Sequence, residues 1–182
     1  MAALPDVLPA GSVQLRRCRL GNLDALMDAV ARSQSELARW LPWADPMPTV
    51  EAEREFLQQQ QRSFDADEAW GYFLIASGTD DLVGGAGLHP RARGVVEIGY
   101  WVRTDCTRRG YATAAAGALT SAAFAHLPDV ERVVIRMDQA NVASTAVPPK
   151  LGYRLDGEDP LRDIVASAHS EKGWIWICTR PQ

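Results

Sequence analysis

Several features that mark other classes of protein are scarce in this sequence. The 182 residues contain three widely separated cysteines and three isolated histidines, namely Cys18, Cys106, Cys178, His89, His126 and His169. An odd number of cysteines without short spacings predicts neither a disulfide framework nor a zinc site, and it fits a reducing, cytoplasmic compartment. The histidines have no carboxylate or cysteine partners at ligand spacing, so we expect no metal centre and no catalytic triad.

Long apolar runs and a basic surplus are also missing. No apolar run reaches the roughly 18 residues that a membrane-spanning helix requires, and the N-terminus lacks the pattern of a secretory signal. The 19 Lys and Arg residues are outnumbered by 23 Asp and Glu residues, which gives a formal net charge of −4. We therefore expect no membrane and no nucleic-acid partner, whereas a cationic small molecule or peptide is a compatible substrate.

The remaining composition is that of a globular chain. Hydrophobic residues make up 47% and charged residues 23%, and the length suits a single domain over residues 1–182. Residues 1–11 are predicted to be a loose N-terminal lead-in. The periodicity beyond them predicts the order β-α-α-α, then three strands, then α-β-α-β-β. This order predicts an α+β fold with a mixed central sheet and helices on both faces.

The stretch from Val102 to Thr113 contains the strongest local signal. A strand ends, a short loop carries Arg108, Arg109 and Gly110, and a long alanine-rich helix begins. The free N–H groups and the positive dipole end of a helix N-terminus attract anions, and Gly110 allows close approach of a ligand to the backbone. On these residues alone, the stretch fits either a phosphate site or a solvated basic helix start.

Two ordered motifs resemble the GNAT superfamily of N-acetyltransferases. Arg108–Thr113 is similar to the acetyl-CoA pyrophosphate loop of that family, Gln/Arg-x-x-Gly-x-Gly/Ala. Asn141–Ser144 followed by Lys150–Tyr153 resembles its second signature, Asn-x-x-Ser ending in Lys-Leu-Gly-Phe/Tyr. Glu97–Val102 and Trp40–Trp43 are similar to the RimJ/RimL branch, which acetylates N-terminal amines of ribosomal proteins.

The resemblance implies a strongly twisted sheet of about six to seven strands that splays to admit acetyl-CoA. It also implies transfer of an acetyl group to a primary amine, preferably a protein or peptide N-terminal α-amine, without a metal. A homodimer is common in such enzymes. A small-molecule amine acetyltransferase, acting on an aminoglycoside, a polyamine or an amino acid, is the alternative enzyme. A non-catalytic acyl-CoA-binding module is the alternative outside enzymes.

The resemblance also assigns roles to residues. The backbone of Trp101, Val102 and Arg103 is expected to pair with the pantetheine, and Asn141 is a helix cap, a pantetheine ligand or both. The residues expected to hold the pyrophosphate are Arg108, Arg109, Gly110, Tyr111, Ala112 and Thr113. Transfer through an acylated Cys106 is conceivable, but we expect direct attack by the amine.

Two residues are candidates for proton transfer. Ser144 is expected to protonate the leaving thiolate, the alternative being an exposed helix hydroxyl. Glu97 is expected to relay the proton of the amine, the alternative being an exposed strand residue. Trp40 and Trp43 either line the acceptor groove or belong to the core. Pro148 and Pro149 lie within the second signature and predict that its helix is kinked or cut to about two turns.

Overall fold

Eight strands form one sheet in the computed structural model, which describes residues 4–159, 170 and 172–181. The spatial order is β1-β2-β3-β4-β5-β6-β8-β7. The strands are β1 Val7–Ala10, β2 Val13–Arg17, β3 Trp70–Ala76, β4 Leu82–Ala92, β5 Val95–Val102, β6 Arg132–Asp138, β7 Arg154–Asp159 and β8 Gly173–Thr179. The sheet is mixed, because β5 and β6 run parallel and the other neighbouring strands run antiparallel. His169 lies outside the described residues.

Five α-helices accompany the sheet in the described part of the chain. They are α1 Leu23–Ala31, α2 Gln34–Leu37, α3 Val50–Asp65, α4 Tyr111–His126 and α5 Val142–Thr145. Thr49 caps α3, since its side chain accepts a hydrogen bond from the Ala52 N–H. No helix among the described residues is long and apolar enough to cross a membrane.

The two faces of the sheet carry separate hydrophobic cores. Helix α4 covers one face, where its alanines and Leu119 pack on Leu74 and Ile98. Helices α1 and α3 cover the other face, where Leu57 packs among residues that include Phe73. Alternation along β3 explains the division, because successive side chains point to opposite faces of a sheet. The predicted arrangement of helices on both faces is confirmed.

The N-terminal segment differs from its prediction. Val7–Ala10 is not part of a loose lead-in but forms β1, which pairs antiparallel with β2, and Leu8 and Ala10 are buried. This strand raises the count from the predicted six or seven to eight. Its pattern was hidden in the sequence because Pro9 lies within it, and proline is tolerated in a sheet chiefly on edge strands such as this one.

The sheet opens between its two parallel strands. β5 and β6 pair only at Val95–Arg132, Val96–Val133 and Glu97–Val134, although both strands continue beyond these positions. β6 remains paired with β8 along its whole length, so the separation concerns the β5 side. The second half of β5 therefore borders a gap in the sheet.

Candidate active site

The backbone of β5 faces the gap at alternate residues. The Arg103 N–H donates to the Val83 carbonyl at 2.8 Å, on the β4 side. Successive backbone groups of a strand point to opposite sides, so the N–H groups of Val102 and Tyr100 point toward β6, where β5 has lost its partner. These two residues therefore present the backbone groups that a bound amide or thioester could pair with.

Arg103, the third residue whose backbone was expected to pair with the pantetheine, is hydrogen-bonded within the chain. Its carbonyl accepts the Cys106 N–H at 2.8 Å, and its own N–H is bonded to Val83. Its guanidinium donates to Asp105 at 2.7 Å and to the Leu82 carbonyl at 3.0 Å. The turn at Thr104–Cys106 thus engages both the backbone and the side chain of Arg103, and its predicted pairing with the pantetheine stays a prediction.

The start of α4 has the geometry of an anion site. Gly110, the residue before the helix, has φ of 81°, and no side chain caps the first turn. Arg108 also has a positive φ, 61°, and left-handed residues in such a loop turn backbone N–H groups toward one point. Arg108 and Arg109 are exposed, and Arg109 donates to the Asp105 carbonyl at 3.2 Å. This geometry suits a phosphate or another anion.

Ser144 lies next to β5 although it belongs to the segment after β6. Its hydroxyl is 3.0 Å from the Tyr100 hydroxyl, which also donates to the Ser144 carbonyl at 3.2 Å. Asn141 caps α5 by accepting the Ser144 N–H at 3.1 Å, so its predicted role as a cap is confirmed. Ser144 is half-buried, and its hydroxyl contacts the Tyr100 hydroxyl of β5.

Tyr100 is a site residue that the sequence reasoning did not single out. Burial raises its pKa to about 12, although the hydrogen bond with Ser144 acts in the opposite direction. The phenol is therefore protonated at neutral pH and can supply a proton to Ser144. The alternation within Glu97–Val102 could have indicated this position. Tyr100 lies two residues after Ile98, and both side chains are on the face of the sheet that α4 covers.

The two prolines shorten α5 without displacing Ser144. The helix ends at Thr145, and Pro148–Leu151 forms a separate 3₁₀ turn that carries Pro148 and Pro149 at its first positions. The prediction of a shortened helix is confirmed, since a proline inside a helix removes a donor and clashes with the preceding turn. The contacts of Ser144 with Tyr100 and Asn141 remain intact.

A pocket of about 500 Å³ lies on the face of the sheet opposite α4, between the sheet and α3. Its floor contains three glycines at one register across three strands, because Gly71 pairs with Gly87 and Gly87 pairs with Gly99. A side chain at Gly99 would meet no atom within 4 Å, so the pocket is open directly above this strand. We call these residues the glycine row.

Aromatic side chains form the walls above the glycine row. Trp43 and Trp101 meet edge to face with 6.1 Å between ring centroids, and both line the pocket with Phe56 and Phe73. The predicted acceptor residue Trp43 is thus placed at a cavity, and the Trp101 side chain lies on this face as well. Trp40 is not among the residues that line the pocket; its indole donates to Glu36, and its ring lies beside Arg39.

Glu97 is buried in an ion-pair cluster. Its Oε2 accepts from Arg91 at 2.7 Å and from Arg136 at 2.9 Å, and 8% of the residue is exposed. The alternative of an exposed strand residue is wrong. Two guanidinium groups hold the carboxylate beside the pocket rather than in its lining, an arrangement typical of a structural ion pair. The proton-relay role of Glu97 stays a prediction.

His89, which the sequence gave no role, lies in the pocket lining opposite Glu97. Burial lowers the pKa of His89, the Arg91 charge lowers it further, and the Glu97 charge opposes both. The imidazole is therefore neutral at neutral pH and can accept a proton. No group of three or more potential ligands among the described His, Cys, Asp and Glu residues could hold a metal ion.

The parted strands, the uncapped start of α4 and the pocket behind β5 are together the features of an acyl-group transferase. The family follows from comparison with known proteins: residues 12–154 match the acetyltransferase (GNAT) domain, and the chain belongs to this family. The resemblance found in the two sequence motifs is thereby confirmed.

Relatives of the RimL branch are among the similar proteins. The chain is 27% identical over 152 residues, 80% of each chain, to YdaF of Bacillus subtilis (strain 168), named as a candidate ribosomal N-acetyltransferase. The structure of RimL, a ribosomal L7/L12 α-N-protein acetyltransferase in complex with coenzyme A, has a TM-score of 0.85 at 19% identity, covering 95% of this chain and 97% of that one. The microcin C7 self-immunity acetyltransferase MccE, in complex with acetyl-CoA and AMP, gives 0.84 at 16% identity, covering 96% and 98%. At these identities the structural likeness establishes the fold.

Proposed function

We propose that this acetyltransferase moves the acetyl group of acetyl-CoA to a primary amine, preferably the N-terminal α-amine of a peptide or protein. One observation carries the proposal: the gap beside β5 and the glycine-row pocket meet at the same three residues, Gly99 to Trp101. Acetyl-CoA bound in the gap and an amine bound in the pocket would therefore meet at this stretch of β5.

The cofactor side is supported by the loop before α4. Free N–H groups of the first helical turn and the guanidinium groups of Arg108 and Arg109 suit the pyrophosphate of acetyl-CoA. The pantetheine would follow the gap, and the Tyr100 or Val102 N–H would polarise the thioester carbonyl as an oxyanion hole does. Coenzyme A and acetyl-CoA are bound in the RimL and MccE structures, which share this fold.

The transfer itself would be a direct attack. The nitrogen lone pair adds to the thioester carbonyl, the C–S bond breaks, and the thiolate takes a proton from the Ser144 hydroxyl, which Tyr100 resupplies. The attacking nitrogen gives up its proton to a base, and the neutral His89 imidazole lies in the pocket. Burial raises the pKa of Cys106, so an acylated cysteine is the less favourable route.

The preference for an α-amine rests on its acidity. An α-ammonium group with a pKa near 7.7–8.0 loses its proton at neutral pH for under about 1 kcal/mol, whereas a lysine near 10.4 requires about 4 kcal/mol. A weak base such as His89 therefore suffices for an α-amine. The curated relative YdaF, named for ribosomal acetylation, and the fold neighbour RimL support the same class of acceptor.

The second candidate is a small-molecule amine acetyltransferase, and the size of the pocket favours it. A cavity of about 500 Å³ lies in the range of sites that enclose a whole small ligand. The non-catalytic alternative depended on Pro148 and Pro149 disturbing Ser144, and the contacts of Ser144 are intact.

Mass spectrometry of two peptides tests the proposal. One peptide has a free N-terminal serine and no lysine, and the other has a blocked N-terminus and one free lysine. With enzyme and acetyl-CoA, we expect a mass gain on the first peptide alone. Acetylation of a small amine such as spermidine, without acetylation of either peptide, would replace the proposal by the second candidate.

A further inference from the structure

Glu53 is a buried acid in the pocket for which the mechanism above has no use. It is 6% exposed, and it lies on the face of α3 that packs against the sheet, one helical turn before Leu57. No hydrogen bond or ion pair joins its carboxylate to another described residue. The two neighbouring acids of α3, Glu51 and Glu55, are exposed.

A charged carboxylate without a partner is energetically unfavourable in this buried position. Transfer of a charge from water into an apolar environment is strongly unfavourable unless a partner compensates it. The helix N-terminus favours a negative charge at Glu53, since this residue lies in the first turns of α3, yet burial outweighs that effect and raises its pKa. The Glu53 carboxylate therefore opens onto the pocket without a protein partner among the described residues.

The surroundings define the partner by charge and shape. Among the described residues that line the pocket, Glu53 carries the one formal charge, and the remaining lining includes the aromatic rings of Trp43, Trp101 and Phe56. A negative charge within aromatic walls favours a cation attached to an apolar group, because ring faces also attract cations.

We propose that Glu53 binds the positively charged amino group of the acceptor and so selects cationic amines over neutral molecules of the same shape. The proposal rests on the proposed function, because it assigns the acceptor to the glycine-row pocket. Glu53 touches the substrate in this role before the amine gives up its proton. His89 remains the base, so one residue attracts the ammonium group and another accepts the proton.

The test uses two small probes of nearly equal shape, 2-phenylethylamine and 2-phenylethanol. Calorimetric titration of the wild-type protein should show the amine bound about thirtyfold or more tightly than the alcohol, the loss expected when a buried charge pair loses one partner. Glu53→Gln should bring the two affinities within about threefold of each other. Glu51→Gln removes the same charge from the same helix at an exposed position and should keep the wild-type ratio.

Three results would overturn the proposal: equal binding of both probes by the wild-type protein, binding of neither, or an unchanged ratio in Glu53→Gln. If Glu53→Gln fails to fold, Gly99→Val provides the second readout. It fills the open space above the glycine row and should weaken both probes, whereas undiminished binding of the amine would place the cation elsewhere.

Acetylation of peptides, measured in parallel, separates this inference from the proposed function. Glu53-dependent binding of the amine without acetylation of any acceptor would refute the function and leave the binding role standing. If Glu53→Gln acetylates the peptide with the wild-type KM for that peptide, the binding role is refuted and the function stands.

Discussion

Substitution of two glycines in the glycine row should change stability in opposite directions while closing the same pocket. Gly99 has an ordinary strand backbone, and a Cβ placed there meets nothing within 4 Å. A Cβ on Gly87, its partner on β4, would lie 3.0 Å from the Trp70 carbonyl oxygen and 3.2 Å from the His89 ring. The two positions differ in the space above them, although both belong to one row.

The magnitudes follow from this difference. Replacement of an unstrained glycine by alanine stabilises a protein by about 0.4–1 kcal/mol, because the unfolded chain loses freedom. Gly99→Ala should therefore raise the free energy of unfolding by that amount, a shift in the melting temperature of about 1–4 °C for a chain of this size. Gly87→Ala must move a backbone carbonyl in a paired strand, and overpacking of this kind costs about 1–3 kcal/mol.

Urea unfolding and steady-state kinetics check both effects. Gly99→Val should keep or exceed wild-type stability and acetyl-CoA affinity, but raise KM for a peptide acceptor about tenfold or more. If Gly99→Ala lowers the free energy of unfolding by more than about 1 kcal/mol, the space above Gly99 is not open. An unchanged acceptor KM in Gly99→Val would refute the assignment of the pocket to the amine.

Three further predictions concern single groups of the site. Burial raises the pKa of Glu53, so the native state binds the Glu53 proton more tightly than the unfolded chain does. The free energy of unfolding therefore falls as pH rises through that pKa. Urea unfolding should show Glu53→Gln more stable than wild type near pH 7 and equal to it near pH 4. Ser144→Ala should lower kcat about 10²-fold with little change in KM for acetyl-CoA, and Tyr100→Phe should lower kcat by a smaller factor. Wild-type kcat in both variants would show that neither residue takes part in proton transfer. Arg108→Asn, which tolerates the positive φ, should raise the Kd of acetyl-CoA about tenfold by calorimetry, and an unchanged Kd would exclude this guanidinium from the site.

Local sequence signals were sufficient for most elements of the fold. The predicted order of elements includes β3, β5 and α4, because alternation in the strands and an alanine-rich run after Gly110 are strong local patterns. β1 was missed because it is short and contains a proline. These errors and successes concern single segments, which propensity and periodicity describe well.

The site depended on relations that no single segment contains. The glycine row needs the register of three strands, and the direction of the Arg103 N–H needs the pairing of β4 with β5. Glu53 is one of several acids in a polar helix, and its burial is decided by how α3 packs on the sheet. The Tyr100–Ser144 contact joins residues 44 positions apart. The motifs could locate the cofactor loop, whereas the acceptor pocket required the assembled sheet.

Parallel measurement of CoA release and peptide acetylation tests the central claim most directly. The enzyme is incubated with acetyl-CoA and the peptide with a free N-terminal serine, and free thiol and acetylated peptide are quantified in the same samples. Direct transfer at the junction of gap and pocket predicts one acetylated peptide for each CoA released, with negligible release when the peptide is omitted. Release of CoA without peptide acetylation, or equal release with and without peptide, would contradict it.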